Sequence, residues 1–335
     1  MSKEMIAENS QNESEIGSNQ LENSTSNKSE QKEDSPIKIL LSEMGDHHEF
    51  TLFNNIHLPL PIILYDNGDL HTYFSLKSME DAGLYTMHKH HIVSTDGHQA
   101  PALDLSITNL VAFQFIAAIF IMSILFTVAR KYKKNMLKAP TGILQNLVES
   151  AILFVRDDIV RTSISKRETA DRLTPYFLTL FFFLYVSNMT GLMPGGHSPT
   201  GSFTVTLAMA LISFIVINYT ALKEEGIGHY LSHLTAGTHW SLWILIIPIE
   251  IMGMFIKPGV LALRLFANMT AGHIVIFALI GIIFIFKSYA LGAPITGFIL
   301  FIYLLELLVA FLQAYIFTML TSIFVGLNLS HSEAH

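Results

Sequence analysis

The sequence predicts an all-α polytopic membrane protein: five membrane-crossing helices plus one interfacial amphipathic helix, the last two crossings long and strongly tilted as a hairpin, with a small β-hairpin ahead of them. Three observations predict it. Of the 335 residues, 51% are hydrophobic and only 14% are charged, against roughly 25% charge in soluble domains. Five apolar stretches are long enough to cross a hydrocarbon core of about 30 Å. The last two exceed what one crossing needs, so they must tilt steeply or lie partly along the membrane.

Residues 1–38 are rich in Ser, Asn, Gln, Glu and Lys and hold almost no large apolar groups. They cannot offset the entropy of ordering and are expected to form a disordered polar tail. No apolar h-region follows Met1, so either the first span exports its own tail or an upstream start precedes it. Residues 39–105 are expected to form an extramembrane region, in which "PIILYDNGDLHTYF" alternates about Asn67-Gly68, a two-residue hairpin turn. The clusters "DHH" (Asp46, His47, His48) and "MHKHH" (His88, His90, His91) carry metal-capable imidazoles. Without fixed spacing or cysteine they read as solvated surface, so no metal or cofactor is expected. The chain has no cysteine, which excludes disulfides and thiolate metal sites.

Residues 106–330 are expected to form the membrane-embedded domain. "ITNLVAFQFIAAIFIMSILFTV" (Ile107 to Val128) is the first span, and it ends at Arg130, Lys131, Lys133, Lys134 and Lys138, with no acid among them. That basic flank marks the cytoplasmic side and puts the amino terminus outside. In "TGILQNLVESAILFVRDDIVRTSI", Ile143, Leu144, Leu147, Ala151, Phe154 and Val155 form a helical stripe opposite charge, suited to lying at an interface. "TPYFLTLFFFLYVSNMTGLMP" (Thr174 to Pro194) crosses outward to the uncharged loop "GGHSPTGS", and "FTVTLAMALISFIVINYTAL" (Phe203 to Leu222) returns. Apolar runs from Trp240 to Phe286 and from Pro294 to Leu327 complete the domain; the first is interrupted only at "KPG", and the second is roughly 50 Å long if helical. The carboxyl terminus is then cytoplasmic.

The turn between these last helices, near Ala290, serves as a ruler of depth. His273 lies seventeen residues before it and Glu306 sixteen after, so the two are expected at one level. Arg264 and Gln313 are similarly matched. Glu306, Gln313 and Tyr303 share one helical face, and Asn268 shares the Arg264 face at i+4. Arginine cannot shed its proton inside a protein, and an intramembrane charge must be compensated. Glu306 is about 15 Å away in depth and Glu250 about 21 Å along the same helix. With no acid of this chain at its depth, Arg264 is expected to meet a carboxylate on another subunit.

At "KPGVLALRLFANMTAGH" and "ELLVAFLQAYIFTML" the sequence resembles subunit a of the rotary F-type ATP synthases of bacteria, the stator channel beside the c-ring. The resemblance covers about residues 107–329. It implies that Arg264 is the essential arginine, with Asn268 and Gln313 as polar neighbours. His273 and Glu306 occupy positions where some members carry the same pair exchanged, Glu250 matches an acidic position near the cytoplasmic mouth, and Asn188 falls in a segment similar to the outer half-channel. It further implies proton flow coupled to ATP synthesis through the c-ring, a b-subunit peripheral stalk, other subunits of the complex and the lipid bilayer of the inner membrane as surroundings, and no nucleic acid. No GxxxxGK[ST] loop is present, so nucleotide chemistry is expected of other subunits.

A secondary transporter would also carry intramembrane charges, but no internal repeat relates two halves of this chain. A self-contained channel would need a ring of repeated pore elements. Neither explains an arginine without a partner. "NMT" at Asn188 and Asn268 fits a glycosylation pattern, yet both lie in or against the membrane.

Overall fold

The computed structural model describes residues 49–52, 56–66, 68–88, 91–95, 100–134, 142–193, 198–234, 242–286 and 289–330. The polar tail, the "DHH" cluster and the "MHKHH" side chains lie outside the described residues.

Alternating sequence before the first span does pair. Strands β1 (Glu49–Leu52) and β2 (Ile56–Pro59) are antiparallel. Strands β3 (Ile62–Asp66) and β4 (Asp69–Tyr73) form the hairpin expected at residues 67–68, with Asp66 opposite Asp69. Gly68 has φ +94° there, a conformation that costs glycine little. Helix α1 (Leu76–Asp81) starts at a reciprocal Ser75/Ser78 cap. A second hairpin, β5 (Tyr85–His88) and β6 (His91–Ser94), follows it, and β7 (Leu103–Asp104) adds to the free side of β3. Ile62, Leu64, Met79, Tyr85 and Ile92 make a small core of their own. The amides of Leu105 and Ile107 donate to the carbonyls of Ile63 and Pro61 at 2.9 and 3.1 Å, so this unit is anchored directly on the chain that enters the first span.

Helix α2 (Asn109–Lys134) is that span. Helix α3 (Ile143–Leu153) is the amphipathic element; the start of its stripe is open, with Ile143 88% and Leu147 62% exposed, whereas the end of the stripe, Phe154 and Val155, packs on the bundle. It runs into a π-helical stretch, Phe154–Val160, and a single turn α4 (Arg161–Ser163). Helices α5 (Arg167–Gly191), α6 (Phe203–Leu234), α7 (Trp243–Phe286) and α8 (Tyr289–Ser330) complete the chain, with a 3-10 turn, Pro199–Gly201, between α5 and α6. Helices α2, α5, α6, α7 and α8 are long and apolar enough to cross a membrane. Gly226, with φ +79°, kinks α6 beyond its apolar part. The "KPG" that interrupts the apolar run does not interrupt the helix: α7 carries Pro248 and Pro258 and runs on for 44 residues. That is about 66 Å, twice a bilayer core.

The core is built where α5, α6, α7, α8 and the π-helical stretch meet, around Val155, Phe177, Leu184, Leu265, Phe317 and Val325. Phe154 stacks on Phe311 and Tyr315, whose helix also meets Phe181 edge-on. Hydroxyls within the apolar helices bond the carbonyl one turn back, as Thr174 does to Ala170, Ser213 to Met209 and Thr318 to Ala314. These three therefore leave no loose donor in a dry interior, whereas the buried hydroxyls of Ser187 and Ser322 have no partner among the described residues. Gly326 of α8 lies so close to the carbonyl oxygen of Ser163 that an added Cβ would come within 1.9 Å of it.

At the end of the bundle that carries Arg130 and Lys131, charge is organised rather than scattered. Asp157 is gripped by the fork of Arg156, with contacts of 2.9 and 2.8 Å, and by Arg161 at 2.8 Å. Arg161 reaches on to Asp171 of α5 at 2.8 Å. Hydrogen bonding from Arg156, then from Arg161, lowers the Asp157 carboxyl from its ordinary 3.8 to about 2.

Candidate functional site

The polar residues of the long hairpin gather at two levels. On α7, His273 turns both ring nitrogens to carbonyl oxygens: Nδ1 lies 2.9 Å from Met269 one turn back, and Nε2 lies 3.1 Å from Gly191 at the end of α5. A neutral imidazole donates from one nitrogen only, so this cradle is filled completely by the charged ring. Glu306 of α8, 8% exposed, brings Oε1 to 3.4 Å from Nδ1. Neither carboxyl oxygen has a hydrogen-bond partner among the described residues. A carboxylate so placed has the imidazole as its near polar neighbour and little solvent around it.

The approach of Glu306 depends on Gly272. A Cβ at that position would lie 2.0 Å from Oε1 and 2.7 Å from Cδ. Only the absence of a side chain there lets the carboxyl reach the imidazole across the α7–α8 contact.

Asn188, 1% exposed, ties the carboxyl-terminal end of α5 to the same place. Its Nδ2 donates to the carbonyl of Ala310, one turn beyond Glu306, at 3.2 Å. Its Oδ1 accepts from Thr200 at 2.6 Å, and Thr200 in turn meets Ser198 at 2.7 Å. Thr270, on α7, reaches the carbonyl of Gly201 at 3.5 Å. His273, Glu306 and Asn188 thus converge, and from Asn188 the network runs on through the hydroxyls of Thr200 and Ser198, which sequence reasoning passed over as an uncharged loop. The density of Ser and Thr in "HSPTGS" was the available signal, but spacing alone could not say that the loop turns inward.

The second level lies nine residues toward the amino-terminal end of α7, about 13.5 Å from His273. Arg264 is half-buried there, and among the described residues it has no ion pair and no side-chain hydrogen bond. Asn268 is exposed on the same helix. Gln313, 9% exposed, stands seven residues past Glu306 on α8. Glu250 is half-buried further along α7 and has no ion pair among the described residues. The structure therefore unites three of the seven sequence-nominated residues and leaves Arg264, Asn268 and Glu250 uncommitted.

Comparison with known proteins gives the family of the chain. Residues 111–326 match the family "ATP synthase A chain", and residues 39–112 match a domain of unknown function (DUF8433). The chain is 45% identical over 239 residues to "ATP synthase subunit a 2" of Chlorobaculum tepidum, covering 71% of this chain and 67% of that one. It is 42% identical to "ATP synthase subunit a" of Chloroherpeton thalassium, covering 73% and 77%. It is 39% identical to "ATP synthase subunit a" of Myxococcus xanthus, covering 84% and 90%.

Proposed function

Because the chain belongs to the ATP synthase A chain family, we propose that it is the proton-translocating stator subunit of a bacterial rotary ATP synthase, a non-catalytic part that offers two offset half-channels to the carboxylates of a c-ring. Protons reach the ring from outside through the level of His273, Glu306 and Asn188. They leave, after most of a turn, on the cytoplasmic side near Glu250. Arg264, flanked by Asn268 and Gln313, stands between the two paths. It holds the passing ring carboxylate in its ionised form and repels a proton that would cross directly.

One observation carries this reading: a guanidinium within a membrane-crossing helix has no acid of its own chain beside it among the described residues. Such a charge is costly unless compensated, and a moving carboxylate on a neighbouring subunit compensates it only in passing. Each proton falling through 100 mV releases about 2.3 kcal/mol, so a direct leak past the arginine would dissipate the drive for synthesis. Basic residues after the first span support an amino terminus outside and a carboxyl terminus in the cytoplasm. The peripheral stalk of b-subunits and the remaining subunits of the complex are its other partners, in the inner membrane.

Arg264→Ala tests the assignment. ATP-driven pumping in inverted vesicles, read by quenching of a ΔpH-sensitive dye, is expected to vanish while the complex still assembles. Preserved pumping would refute it.

A further inference from the structure

A groove between α5 and α6 takes no part in the proposed proton path. It encloses about 190 Å³ and is lined by Thr169, Arg172, Tyr176, Val216, Tyr219 and Lys223, among others. Residues 169, 172, 173 and 176 share one face of α5, and 216, 219, 220 and 223 share one face of α6. The two faces run side by side from charge to apolarity. Arg172 and Lys223 sit at the end of the bundle that carries Arg130 and Lys131; Leu173, Tyr176 and Val216 line the groove as it runs inward, and the Tyr176 hydroxyl is already committed to Ser213 at 3.0 Å. The length from residue 223 to residue 216 is about 10 Å of helix, enough for a headgroup, its glycerol and the first carbons of a chain.

We propose that this groove holds one anionic phospholipid, its phosphate between Arg172 and Lys223 and an acyl chain along Tyr176 and Val216. Two cations, Arg172 and Lys223, and one carboxylate, Glu224, line the groove, a balance of charge that favours an anionic occupant. Arg172 donates one N–H to Glu224 at 2.7 Å, which fixes the guanidinium at the groove mouth and leaves its other donors for a phosphate. Lys223 rests over the ring of Tyr219 at 5.9 Å, and its ammonium has no carboxylate among the described residues. Basic pockets between membrane helices on the cytoplasmic side take lipid phosphates for these reasons, and tyrosines mark the depth at which headgroups lie. A zwitterionic lipid would bring its own ammonium against Lys223 and bind less well. The site stands apart from Arg264, so its fate is separate from that of the proposed function.

Native mass spectrometry of the full chain in mild detergent tests it, titrated with dioleoylphosphatidylglycerol, dioleoylphosphatidylcholine and glycerol phosphate. Retention of one phosphatidylglycerol in preference to phosphatidylcholine is expected. Lys223→Gln should weaken it about fivefold, the worth of one cation near a charged interface, and Lys223→Arg should keep it; a melting curve on each variant guards against misfolding. Equal retention of both lipids, or a Lys223→Gln variant that binds like the parent, overturns the proposal. Glycerol phosphate binding as tightly as the lipid would overturn it too, reassigning the groove to a soluble phosphate.

Discussion

At the scale of single residues, the site turns on a glycine and a pair. Gly272 has room for no Cβ, because Oε1 of Glu306 occupies that space at 2.0 Å. In Gly272→Ala the flexible end of Glu306 must swing away from His273, and displacing a transfer group by about 1 Å costs up to about 100-fold. ATP-driven pumping in vesicles is expected to fall about 10- to 100-fold with little change in melting temperature, since the side chain can yield while the helices hold. Unchanged pumping would remove the contact from the mechanism. The pair itself invites an exchange. His273→Glu combined with Glu306→His keeps one acid and one imidazole at the same level, and it should restore more transport than either single change. A double variant no better than its worse parent would mean that 3.4 Å of proximity is structural only.

At the scale of elements, the junction between the amphipathic helix and α5 is held by ions as well as by the apolar contact of Val155 and Phe154. Asp157, lowered to about 2 by Arg156 and Arg161, is a depressed carboxylate, so its contribution is present above its ordinary value of 3.8 and is lost as pH falls through about 2. The parent should therefore melt above Asp157→Asn at pH 5, and the two curves should merge near pH 2. A gap that persists in acid would assign the effect to packing. The contact of α8 on the Ser163 carbonyl is of the other kind. Backbone cannot swing aside, so Gly326→Ala is expected to cost about 1–3 kcal/mol through overpacking, read as a lowered melting temperature. These elements also show what the sequence made legible. Five spans, the long hairpin and the Asn67-Gly68 turn follow from apolar runs and turn chemistry, which are local. The π-helical stretch at Phe154–Val160 and the strand β7 closing on β3 arise from partners far along the chain, so no local pattern announced them. The same division runs through the site: depth along a hairpin predicted that His273 would meet Glu306, whereas the inward fold of Ser198 and Thr200 onto Asn188 had no periodic signature.

At the scale of the whole molecule, the question is which surfaces meet lipid and which meet protein. Both are apolar in a membrane protein, so exposed Leu263, Leu304 or Leu308 cannot tell them apart. Polar residues can, because lipid offers them nothing. Asn268 is exposed on α7 one turn beyond Arg264, and an amide turned to hydrocarbon would forfeit its hydrogen bonds. On the function proposed above, the face that carries both is expected against another subunit, whereas Ile276, two turns further and only 5% exposed, points into its own bundle. The chain has no cysteine, so single cysteines can be placed without background. In the intact complex, Asn268→Cys is expected to form oxidative cross-links with cysteines scanned along the outer helix of a small ring subunit, and the favoured partner should lie within one turn of that subunit's carboxylate. Ile276→Cys is expected to form none. If Ile276→Cys cross-links and Asn268→Cys does not, the ring lies on the opposite side of α7, and Arg264 would need its counter-charge from somewhere other than a rotor.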